Sequence, residues 1–134
     1  MADISVTAAS VVPTSTTKRQ TKNAAAAITA GQVVYVNSSD LVALADNDAS
    51  VTTAAAVGIA LNSCAAGQPC SYATSGDVTF NAVLTAGAVY VLSSTAGGIA
   101  PVADLASDDY VTILGVASTT TNLTININAS GHQV

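Results

Sequence analysis

Between residues 123 and 128, Leu123, Ile125 and Ile127 alternate with Thr124, Asn126 and Asn128. In an extended strand this sets an apolar row on one face and a polar row on the other. Val78 and Phe80 alternate with Asp77, Thr79 and Asn81 in the same way. Two runs lack the alternation: Val57-Gly58-Ile59-Ala60-Leu61 and Val111-Thr112-Ile113-Leu114-Gly115-Val116-Ala117 are apolar almost throughout, which predicts strands covered on both faces. Together with further short β-rich runs, the pattern predicts strands at 32–36, 41–45, 56–62, 70–73, 77–81, 88–92, 99–103, 110–117 and 123–128. Turn residues separate them at 37–40, 66–69, 75–76 and 96–98. This spacing predicts an all-β fold, a small barrel or sandwich.

The strands fall into a repeated unit. Ile28-Thr29-Ala30-Gly31, Val34-Tyr35-Val36, Ala43-Leu44-Ala45-Asp46 and Val57-Gly58-Ile59-Ala60 recur in order as Leu84-Thr85-Ala86-Gly87, Val89-Tyr90-Val91, Pro101-Val102-Ala103-Asp104 and Leu114-Gly115-Val116-Ala117. The offset stays near 56 residues, which predicts two similar β-units packed about one core. Gly58 and Gly115 sit inside strand patterns at equivalent places, where a bulge or a close backbone approach is expected.

The first 27 residues carry neither periodicity: Pro13 interrupts and Thr14-Ser15-Thr16-Thr17 is polar. The expected organisation is an extended N-terminal arm over 1–27 and a β-domain over 28–134. The four alanines at 24–27 are too few to nucleate a helix. Ile4, Val6, Val11 and Val12 are candidates to add strand contacts at a partner's sheet edge.

Composition sharpens the picture. Half the residues are hydrophobic, yet there is one Phe, four Tyr and no Trp, so the expected core is thin and aliphatic. Charged residues make up 8% of the chain, far below the roughly 25% usual in soluble domains. A surface so neutral suits a protein packed against others, and self-association is expected. All three cations, Lys18, Arg19 and Lys22, lie within five positions of the arm, where they could meet an acidic partner. The remainder is acidic through Asp alone and would be repelled by phosphate backbones, so no nucleic-acid partner is expected. Nor is a membrane, since no run of eighteen apolar residues occurs. The first residues lack the pattern of a secretory signal, which predicts synthesis in a cytoplasm.

Cys64 and Cys70 flank a Gly/Pro turn, so a disulfide across the hairpin is possible; a reducing compartment favours two thiols. A single His, no Glu and Asp residues placed mainly in turns leave no acid, base or nucleophile constellation. No catalytic, cofactor-binding or metal-ligating residue is therefore expected, and His132 reads as a solvated tail residue.

Ile28-Thr29-Ala30-Gly31-Gln32-Val33-Val34-Tyr35-Val36, then Ala55-Ala56-Val57-Gly58-Ile59-Ala60-Leu61-Asn62 and Ala65-Ala66-Gly67-Gln68-Pro69, resemble the small decoration (cement) proteins of tailed-bacteriophage capsids. Thr85-Ala86-Gly87, Val89-Tyr90-Val91 and Tyr110 to Ala117 extend the resemblance, which covers roughly 28–128. It implies a non-catalytic virion protein on the capsid exterior that binds the major capsid protein, often as a homotrimer, and holds capsomers together. The rival readings are a head-fibre or tail component that binds a host surface, and a β-barrel module for carbohydrate or another small ligand. The second is weakened by the scarcity of aromatic rings.

Overall fold

The computed structural model describes residues 3–134. Ten strands form one sheet: Val12–Pro13 (β1), Lys18–Asn23 (β2), Val33–Val36 (β3), Val42–Leu44 (β4), Gly58–Ala60 (β5), Pro69–Thr79 (β6), Val89–Leu92 (β7), Ile99–Pro101 (β8), Tyr110–Ala117 (β9) and Asn122–Gln133 (β10). Every strand ladder is antiparallel. The sheet curls into a half-barrel, which places the protein in the all-β class.

The repeat seen in the sequence is a repeat of connectivity. In the first unit β3 pairs with β4 and with β5, and β5 pairs with β6. In the second, β7 pairs with β8 and with β9, and β9 pairs with β10. The same turn opens both units. Gly31 N–H donates to Ala60 O at 2.8 Å and Gly87 N–H to Ala117 O at 2.7 Å. Ala60 N–H donates to Gln32 O, and Ala117 N–H to Ala88 O, at 2.8 and 3.0 Å. Gly31 and Gly87 hold φ of 92° and 83°, the left-handed region that a side chain would strain. At Gly58 and Gly115 the reason for glycine is close approach. A Cβ at Gly58 would run into the Ala73 carbonyl, and one at Gly115 into the Thr124 carbonyl, each on the neighbouring strand.

The units join through β6. One edge of β6 carries β2 and β1; the other pairs with β5 at Tyr72–Ala73 and with β10 from Ser75 to Thr79. The expected turn at Ser75-Gly76 is therefore absent, and the predicted strands at 70–73 and 77–81 are one continuous strand. Gly76 bends the chain within it at φ 87°, and its missing Cβ lets the Thr16 carbonyl press against the backbone. β10 also runs past the predicted end at 128, because Ala129 and Gln133 stay paired with Thr112 and Tyr110.

The main core spans both units and includes Val33, Ile59, Val78, Phe80, Leu114, Leu123 and Ile125. A second cluster of Ala24, Ile28, Val34, Val42, Ala60, Cys64, Cys70 and Tyr72 covers the opposite face of the first unit. Alternate residues thus serve opposite faces: Val33 and Ile59 enter one cluster, Val34 and Ala60 the other. The two-sided burial expected of 57–61 is met at β5, all three of whose residues are buried. At β9 it is not, for Val116 is 44% exposed. The segment around Ala24–Ile28 and the cysteine loop cover the first unit, and no such cluster forms over the second among the described residues.

Candidate functional site

Within residues 3–27 a short 3₁₀ turn at Ala8–Ser10 precedes β1 and β2, and the segment lies on its own domain. β1 and β2 pair with β6. Ile4 N–H donates to Ile99 O at 2.9 Å, Val11 is a buried member of the main core, and Ile4 and Val6 pack against it. Val12 remains half exposed. This corrects the picture of an arm reaching away from the domain. The physical reason is that β6 offers an unpaired edge along its whole length, and backbone groups left there would need a partner.

β2 is the feature that carries charge. Five of its six residues, Lys18 to Thr21 and Asn23, are exposed. Its inner edge bonds to β6, and no described strand pairs with its outer edge. Lys22 donates from Nζ to Asp40 Oδ1 at 2.8 Å, and that bond raises the lysine above its ordinary pKa against a smaller effect of burial. Lys18 and Arg19 form no ion pair with any described residue. The predicted cation cluster therefore separates into one engaged lysine and two consecutive cations with no ion pair among the described residues.

The acidic residues gather elsewhere. Asn47 N–H donates to Ser93 O at 3.2 Å and Tyr110 N–H to Asn47 O at 2.7 Å, which ties the 45–50 loop to the second unit. Asp46 and Asp48 flank that residue, and their mutual side-chain hydrogen bond pushes the Asp48 carboxyl up. A cavity of about 110 Å³ opens here, lined by Asp3, Asn47, Ser93, Asp104 and Asp109 among others. Ser93 Oγ donates to Asp3 Oδ1 at 2.6 Å, and Ala106 N–H to Asp109 Oδ2 at 2.9 Å. Asn47 is 1% exposed; its Nδ2 donates to Leu92 O at 2.8 Å, while its Oδ1 has no partner among the described residues. Sequence reasoning missed this cavity, although the repeat had already matched Asp46 with Asp104.

Cys64 and Cys70 are free, buried thiols of the second cluster. Burial, reinforced by a hydrogen bond and charge interaction with Cys64, pushes the Cys70 thiol up to about 12. Such a thiol stays protonated at neutral pH and is a poor nucleophile. Among the described residues no group of three His, Cys, Asp or Glu side chains is arranged to hold a metal ion. His132 lies exposed on β10. The arrangement is suited to binding through a strand edge and separated charge. No protein-family model matches the chain, and comparison with curated proteins returns no match.

Proposed function

We propose that the chain is a structural protein that binds the outer surface of a tailed-phage capsid through the major capsid protein and braces neighbouring capsomers. The observation that supports it best is β2, an exposed edge strand with two unpaired cations on a small, charge-poor β-domain. An open edge can accept a partner's extended segment by main-chain hydrogen bonds, and Lys18 and Arg19 select a partner whose segment is acidic. Binding of this kind needs no catalytic group. The resemblance of residues 28–128 to decoration proteins points the same way.

The test is co-sedimentation of the purified chain with shells lacking it. Saturable binding to the shell exterior, weakened by salt and by Lys18→Ala with Arg19→Ala, is the expected result. Binding confined to tails or to cell surfaces would favour the fibre reading, and no binding to any virion part would remove the proposal.

A further inference from the structure

The loop that carries the two cysteines holds the end of β2 from two sides. Ile28 N–H donates to Cys64 O and Cys64 N–H to Ile28 O, both at 2.9 Å, while Cys70 stands opposite Lys22 in the ladder between β6 and β2. Between these points Ala24 N–H donates to Gln68 O at 2.8 Å and Gly67 N–H to Ala24 O at 2.7 Å. Residues 22–28, which lead from β2 into the first unit, are thus tied to that loop along their whole length.

Both cysteine side chains enter the second cluster with Ala24, Ile28 and Tyr72, and the two thiols interact through a hydrogen bond. A disulfide forms where two cysteine side chains already face one another, and a shared thiol contact meets that condition. Residues 65–69 between them are all exposed, so the loop has room to adjust as the sulfurs close. The chain has no other cysteine, so oxidation has a single internal product.

We infer that Cys64 and Cys70 form a redox-sensitive clamp. As thiols they leave the cover of the first unit held by packing and hydrogen bonds; as a disulfide they lock that cover, and the end of β2 with it. A reducing medium keeps the pair open, and in an oxidising one a small disulfide such as oxidised glutathione closes it. Cys64 reacts first, being 8% exposed against 0% for Cys70. Its Sγ gives a proton to solvent and attacks one glutathione sulfur; the glutathione S–S bond breaks and one glutathione leaves as thiolate. Cys70 Sγ then gives up its proton and attacks Cys64 Sγ, which releases the second glutathione. The two cysteines lose two electrons to oxidised glutathione, and two protons end on the two glutathione thiols. Cys70 is the slow partner, because burial keeps it protonated. The clamp does not depend on a shell, so its test is separate from that of capsid binding.

The full chain is held in a buffer of oxidised glutathione, then unfolded, alkylated and weighed by mass spectrometry. The expected product is an unalkylated chain lighter by two hydrogens, with no glutathione attached. Should the folded thiols stay unreacted, refolding from urea in the same buffer decides, since access then no longer limits closure. Two alkylatable thiols after refolding, or a glutathione adduct that persists on Cys64 beside a free Cys70, would overturn the inference. The bonded form is expected to show a urea midpoint raised by about 1 M and slower hydrogen exchange at the amides of Ala24, Ile28 and Cys64, both reversed by dithiothreitol. Cys64→Ala is expected to show neither response to the oxidant. A bonded form no more stable than the reduced one, exchange unchanged at Ala24 and Ile28, or the same responses in Cys64→Ala would each show that the pair clamps nothing.

Discussion

Gly58 and Gly115 stand at equivalent places in the two units, each pressed against a neighbouring carbonyl. Alanine at either position must move a strand, and overpacking of this kind typically costs about 1–3 kcal/mol. Gly67 faces open space at φ 81°, so Gly67→Ala carries conformational strain alone, on the order of 1 kcal/mol. Urea denaturation is expected to rank the first two well above the third; equal losses would mean that the carbonyl contacts do not matter. Cys70 gives a pH signature. Its folded pKa, about 12, lies above the ordinary value of 9.0, so the unfolded thiol ionises first. The thiol's contribution is complete below about pH 9 and is lost as pH rises towards 12. Stability of the wild type is expected to fall over that window more than that of Cys70→Ala, after correction for the variant's lower baseline. Parallel profiles would contradict the burial of this thiol.

Most of the strands were legible because one-sided burial writes a period of two into the chain, as at Leu123, Ile125 and Ile127. The unit repeat was legible because the same turn needs glycine at both Gly31 and Gly87. β2 was not, since Lys18 to Thr21 are exposed and polar, and only the pairing edge of β6 makes them a strand. Nor was the continuity of β6, because Gly76 has the look of a turn and instead admits the Thr16 carbonyl. The cavity was hidden for a related reason: its carboxylates come from segments far apart in sequence, brought together by the docking of Asn47 onto Ser93 and Tyr110. The N-terminal segment yields a firm expectation at this scale. Removing residues 2–22 deletes β1, most of β2 and the buried Val11. Burial of one such valine is worth about 1.5 kcal/mol or more, so the truncated chain should show a clearly lower urea midpoint. An unchanged midpoint would restore the segment to the status of an appendage.

At the scale of the whole molecule, one curled sheet supports two unlike surfaces, a basic strand edge and an acidic loop cavity, on a body with few other charges. Neutralising β2 is expected to weaken shell binding while leaving the far-UV spectrum and urea midpoint nearly unchanged, because exposed cations contribute little to folding. The place proposed for the protein is the outside of a capsid. Cryo-electron microscopy of the particle whose genome encodes the chain tests it most directly. The expected result is ordered density for the β-domain on the outer face of the shell, with β2 against a capsid-protein segment. Shells on which that density is missing, or particles that carry it only on tail or fibre, would contradict it.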